Sequence, residues 1–156
     1  MTNPQDKLLF TPGPITTSAT VKQAMLRDLG SRDTEFIQTV ERVRNALLSA
    51  AEVTKEQGYE AVILQGSGTF GLEAVVGSAI PSEGRLLVVT NGTYGSRFAE
   101  LAQALEIDHR VLAFKEGEPV DPKQVSSALA EDPTLTHVSV VHCETSTGVR
   151  LLFCFI

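Results

Sequence analysis

The sequence predicts an α/β protein with a parallel-rich sheet and helices on both faces. Three observations point there. Short apolar, partly β-branched runs alternate with segments of helical period, the pattern of strands joined through helices into a parallel sheet covered on both sides. Glycine-rich or hydroxyl-rich turns directly follow several of the apolar runs. The 156 residues, 42% apolar and 21% charged, suit one globular domain of ordinary size.

The elements follow in order. Residues 11–14 (TPGP) suit neither helix nor central strand, since two prolines lack donors and a glycine lies between them. Residues 18–29 read as a short helix ending at Gly30. A longer helix begins at Asp33, a suitable N-cap. Its apolar positions Phe36, Val40, Val43, Leu47 and Ala51 recur at helical spacing, with Glu41, Arg42 and Arg44 turned away. Residues 59–64 (YEAVIL) read as a buried strand, 66–71 as a glycine-rich turn and 72–79 as a mostly apolar helix. A second buried strand is expected over 85–90 (RLLVVT). A helix over 96–105 follows, with Phe98, Leu101, Ala102 and Leu105 on one stripe. A third strand covers 109–114. A surface helix covers 121–130, with Asp121 as cap and Pro122 at its first position. The fourth strand covers 137–142. His109 and His137 open strands and read as structural.

Composition excludes several functions. A net charge of −6 argues against binding a phosphate backbone, which needs a basic face. No apolar run approaches the roughly 20 residues needed to span a bilayer. The first ten residues show no basic segment followed by an apolar one, so no secretory signal is expected. Cys143 and Cys154 give neither a disulfide framework nor metal-ligand spacing. These features favour the cytoplasm, with no metal and no nucleic-acid or membrane partner.

Ligands of open α/β sheets bind beyond the carboxyl ends of the strands, so the turns there hold the candidate site residues. In Gln65-Gly66-Ser67-Gly68-Thr69-Phe70-Gly71, glycines admit a ligand close to the backbone, and amides at a helix start point at it. The hydroxyls of Ser67 and Thr69 add donors. This suits a phosphate, and the pattern equally allows a plain tight turn. It is not a phosphate-binding loop of the Gly-Lys-Ser/Thr kind. It is not a dinucleotide fingerprint either, because Asn91 rather than an acid ends the next strand. In 90–97 (TNGTYGSR), Tyr94 stands between two glycines, suited to lie on a planar ring or simply to pack on the surface. In 142–148 (HCETSTG), hydroxyls stand ready for a ring substituent. A Cys143–His142 nucleophile pair or a metal site of His142, Cys143 and Glu144 is disfavoured, since adjacent strand residues point to opposite faces. Arg32, in SRD at 31–33, suits an anionic group or an ordinary surface position.

Together these segments resemble one family. LLFTPGPITTSATVKQAM (8–25), SRDTEF (31–36), LQGSGTFGLEA (64–74), TNGTYGSR (90–97) and HCETSTGV (142–149) are similar to the N-terminal part of the class V, fold type I pyridoxal 5′-phosphate aminotransferases. Within that class they look most like the 2-aminoethylphosphonate–pyruvate transaminases. The resemblance implies part of a large cofactor-binding domain. Ser67, Gly68 and Thr69 would bind the cofactor phosphate, Tyr94 would stack on the pyridine ring and Thr145 would bond near its 3-oxygen. Pro12, Gly13 and Arg32 would lie toward the substrate. It implies transfer of an amino group from 2-aminoethylphosphonate to pyruvate, giving phosphonoacetaldehyde and L-alanine, by a homodimer with sites near the subunit interface. Alanine–glyoxylate transamination, cysteine desulfuration or a non-catalytic remnant are the alternatives.

The resemblance stops at Val149. Residues 150–156 (RLLFCFI) match nothing in the family, so residues 1–30 are expected to form an N-terminal segment with the first helix, 31–149 an incomplete cofactor-binding domain and 150–156 an aberrant tail. The Schiff-base lysine and the aspartate that pairs with the pyridine nitrogen would lie in the part not matched. Lys7, Lys22, Lys55, Lys115 and Lys123 occupy no place the family uses. The chain alone is therefore expected to hold no catalytic residue, to be inactive, and to expose an open sheet edge that promotes aggregation.

Overall fold

The computed structural model describes residues 7–151. The chain divides into two compact units, Met1–Gln65 and Gly66–Ile156.

Among the described residues the first unit holds two helices. α1, Ala19–Ala24, is capped by the Ser18 hydroxyl, which accepts from Val21 N at 3.3 Å. It is shorter than the helix expected to reach residue 29. Met25 and Leu26, the next apolar residues, are largely exposed, and an isolated turn without a packed face does not propagate. α2, Thr34–Ala50, starts where expected. The Asp33 carboxylate, however, accepts from Gly30 N at 2.7 Å rather than from an amide of the helix.

The buried stripe of α2 is rotated from the expected one. Leu48 is buried, and Phe36, Val40 and Arg44 are half-buried, while Val43 and Leu47 are exposed. Arg44 is not turned away. Its Nε donates to Ala61 O at 2.8 Å and its Nη2 lies 2.8 Å from Glu60 Oε1, so its aliphatic stem packs while the head is satisfied. Residues 59–64 are a second correction. They form no strand, and Tyr59, Val62, Ile63 and Leu64 are exposed. A strand exists only through its ladder, and no strand of the described residues pairs with this run.

The second unit follows the predicted alternation: α3 Gly68–Ala79, β1 Leu86–Thr90, α4 Thr93–Ala104, β2 His109–Ala113, α5 Pro122–Glu131 and β3 His137–Val140. The strands are parallel in the order β2-β1-β3, with Leu86 level with both His109 and His137. β1 is central and wholly buried. Leu87 and Val89 pack with Val125 and Ala128 of α5 on one face, and Leu86 and Val88 with Ala102 of α4 on the other. Burying each such large side chain contributes about 1.5–3 kcal/mol. α5 is capped as expected, the Asp121 carboxylate accepting from Lys123 N at 2.9 Å.

Two helices begin earlier than expected. α3 starts inside the glycine turn at Gly68, and α4 starts at Thr93, so Tyr94 lies in its first turn. The fourth predicted strand, β3, stops at Val140, and an unexpected hairpin follows: β4 Cys143–Glu144 pairs antiparallel with β5 Val149–Arg150. Leu151, in the expected tail, is buried and donates its amide to His142 O at 2.7 Å. Residues 152–156 lie outside the described residues. Among the described residues no helix is long and apolar enough to cross a membrane.

The chain runs from β1 to β2 on one side, then back across β1 to β3. The carboxyl end of β1 is therefore a switch point, where open α/β sheets hold ligands.

Candidate functional site

The turn before α3 is open. Gly66 has φ +152°, and a Cβ there would meet Phe70 Cδ1 at 2.7 Å, so only glycine fits. Ser67 is the N-cap, its hydroxyl accepting from Phe70 N at 3.3 Å. The amides of Gly68 and Thr69 have no partner among the described residues, and a Cβ at Gly68 would meet nothing within 4 Å. Free amides at a helix start whose first residue, Gly68, is exposed suit an anion.

Arg97 joins this turn to the next. Its Nη1 donates to Thr69 Oγ1 at 3.3 Å, and its guanidinium lies 5.6 Å from the centre of the Tyr94 ring, within cation–π range. Tyr94 and Arg97 stand three apart on α4 and share a face. That spacing was the available signal for Arg97, which sequence reasoning did not single out.

The N-terminus of α4 is filled from within the chain. Glu144 is 0% exposed. Its Oε2 accepts from Tyr94 N and Gly95 N, both at 3.0 Å, and its Oε1 from Ser146 Oγ at 2.6 Å and Ser146 N at 3.3 Å. Ser146 Oγ also accepts from Thr93 N at 3.3 Å. Thr145, between the two, is exposed. Sequence reasoning weighed Glu144 only as a metal ligand; nothing in the sequence separates a buried carboxylate from a solvated one.

Burial alone would push the Glu144 carboxyl up. The Ser146 hydroxyl and the amides of Gly95, Tyr94 and Ser146 outweigh it, and the group sits below the ordinary glutamate value of 4.5. With the folded value depressed, Glu144 contributes stability above the unfolded value, and that contribution is lost as pH falls through the folded one. Denaturant midpoints measured from pH 6 down to about pH 3 should therefore fall more steeply in the native chain than in Glu144→Gln. Parallel curves would refute this assignment.

The sequence-predicted residues thus divide. Ser67, Gly68 and Thr69 join Tyr94 through Arg97, and Tyr94 joins the Thr145 turn through Glu144. Pro12, Gly13 and Arg32 belong to the Met1–Gln65 unit, where all three are exposed. Cys143 is an exposed free thiol.

No family model matches the chain. It is 48% identical over 147 residues to a 2-aminoethylphosphonate–pyruvate transaminase of Bacillus mycoides (strain KBAB4), covering 94% of this chain and 40% of that protein. It is 49% identical over 142 residues to one of Bacillus thuringiensis (strain Al Hakam), covering 91% and 39%. The chain therefore spans about 40% of the length of the curated relatives it matches. Among solved structures it resembles pyridoxamine–pyruvate aminotransferase from Mesorhizobium loti, with TM-score 0.79 and 28% identity over 90% of this chain and 35% of that one. It also resembles alanine–glyoxylate aminotransferase from Nostoc sp., with TM-score 0.81 and 25% identity over 96% and 39%. In fold the chain is a part of the aminotransferase architecture, and over nearly all its residues it is homologous to the 2-aminoethylphosphonate–pyruvate transaminases.

Proposed function

We propose that this chain carries the cofactor-anchoring part of a pyridoxal 5′-phosphate aminotransferase. The complete enzyme would move the amino group of 2-aminoethylphosphonate to pyruvate, giving phosphonoacetaldehyde and L-alanine. It would be a homodimer, by the family resemblance, and cytoplasmic, as a handler of small soluble metabolites. The observation that carries the reading is the open turn before α3, joined through Arg97 to the face of Tyr94. The substrate pair is supported by the relatives at 48–49% identity.

In this reading the amides of Gly68 and Thr69 donate to the cofactor phosphate, with the hydroxyls of Ser67 and Thr69 beside them. Arg97 adds positive charge next to Thr69. Tyr94 holds a planar ring by its face, and the Thr145 hydroxyl bonds a ring substituent. When bound, pyridoxal phosphate supplies the electron sink for amino transfer. Pro12, Gly13 and Arg32 contribute on the substrate side. The chain alone, with about 40% of its relatives' length, is expected to anchor the cofactor reversibly and to form little alanine. Robust alanine formation from 2-aminoethylphosphonate and pyruvate by the purified chain would overturn the expected inactivity. Preferential turnover of another amino donor by a full-length form would shift the substrate assignment.

Gly68→Ala tests the anion site. A Cβ there strikes nothing, so stability should change by less than about 0.5 kcal/mol, or rise slightly because alanine favours helix. Phosphate and pyridoxal phosphate affinity should each fall about tenfold, since a methyl group beside the free amides crowds an anion bound to them. Unchanged affinity in equilibrium dialysis would move the phosphate elsewhere.

A further inference from the structure

We propose that Glu144 is a positioning residue: its carboxylate locks the first turn of α4 to the turn after β3, and so fixes Tyr94 and Thr145 for a planar ligand ring. This deepens the cofactor reading above and rests on it for the ligand.

A fully buried carboxylate costs stability unless its oxygens are satisfied. No arginine or lysine pairs with Glu144 among the described residues. Its charge is instead met by two amides of α4 and by the amide and hydroxyl of Ser146. Those amides belong to the second and third residues of the helix, where the dipole favours a negative charge. Glu144 thus does for α4 what a capping side chain ordinarily does, but from 50 residues further along the chain.

The surroundings are closed around this carboxylate. Any side chain at Gly92 would meet Glu144 Cγ at 2.4 Å. Thr93 N donates to Ser146 Oγ, so with the bonds of Glu144 to Tyr94 N and Gly95 N, three hydrogen bonds between the two turns run through Glu144 or its immediate partner. Tyr94 is held by its own amide, and Thr145 lies between two residues of the same network.

The two helix N-termini therefore have separate tasks. That of α4 is taken by an internal carboxylate and is closed to a ligand anion. That of α3 keeps free amides. Losing Glu144 should loosen the ring side of the site and leave the phosphate side intact. A merely structural role would weaken both together.

The test compares the full chain with Glu144→Gln and Ser146→Ala. Three quantities are read: amide exchange at Tyr94 and Gly95, affinity for inorganic phosphate, and affinity for pyridoxal phosphate. In Glu144→Gln, exchange protection at both amides and pyridoxal phosphate affinity should each fall about tenfold, corresponding to one lost charge-assisted interaction. Phosphate affinity should stay within about twofold. Ser146→Ala keeps the carboxylate and should show a smaller loss in the same direction; it carries the comparison if Glu144→Gln does not fold. Unchanged protection at Tyr94 and Gly95 would overturn the lock. Equal losses for phosphate and pyridoxal phosphate would overturn the positioning role. A native chain that binds neither ligand would sink the cofactor reading and the ligand half of this proposal, while the exchange comparison still decides whether Glu144 locks the turns.

Discussion

Gly92→Ala is expected to destabilise the chain by about 2–4 kcal/mol, the sum of a steric insertion and a disrupted buried polar network. The backbone is not the cause, because φ 177° and ψ −172° at Gly92 are extended values open to any residue. The collision is. A methyl group would lie 2.4 Å from Glu144 Cγ and 2.7 Å from its Cδ, far inside contact distance. Relief by moving the carboxylate breaks its bonds to Tyr94 N and Gly95 N and leaves a charge buried with fewer donors. Relief by moving α4 is also obstructed. Gly95 already lies so close to β1 that a Cβ there would meet Thr90 Oγ1 at 2.6 Å and Thr90 Cα at 2.9 Å. Urea denaturation followed by circular dichroism measures the effect. A change below about 0.5 kcal/mol, the range of an ordinary surface substitution, would show that the turn yields easily. Gly68→Ala is the natural control, being the same change where the added methyl meets open space.

Leu87→Ala is expected to cost about 3 kcal/mol, within the 2–5 kcal/mol typical of a leucine deleted from a tight core. Leu87 is 0% exposed, the second residue of the central strand. It packs with Val89, Val125 and Ala128, with Leu112, Val140 and Leu135 around them. Its neighbours come from both flanking strands and from α5, so the cavity cannot close without shifting three elements. Val138→Ala, at a 42% exposed position of β3, should cost well under 1 kcal/mol. Equal costs at the two positions would contradict the burial described here. Thermal and urea melts on the same preparations give both values.

The legibility of this protein follows the range of the forces involved. The run LLVVT could hardly be anything other than a buried strand, and it became the centre of the sheet. Asp121 and Pro122 start a helix by local hydrogen bonding and a preset φ, and the helix starts there. Gly66, Ser67 and Gly68 mark a tight turn opening a helix by local chemistry alone, and α3 starts there. By contrast, YEAVIL has the composition of a buried strand yet forms none among the described residues, because strand formation needs a neighbour and composition does not supply one. In α2 the apolar positions fit more than one stripe. On the stripe that is buried, Arg44 meets Ala61 O and Glu60, contacts the period of the helix does not encode.

The candidate site shows the same division. The sequence by itself determined the residue types at the turns: glycines and hydroxyls before α3, an aromatic residue after β1 and a hydroxyl-rich turn after β3. These are local requirements of tight turns and exposed donors. Only the tertiary structure decided that α4 begins at Thr93, that Arg97 spans from Thr69 to the Tyr94 ring, and that Glu144 turns inward to hold the two later turns together. A carboxylate in a sequence carries no record of its solvation. It is worth burying only once folding has brought two helix amides and a serine within bonding distance of it, and that meeting is made by the sheet rather than by any neighbour in the chain.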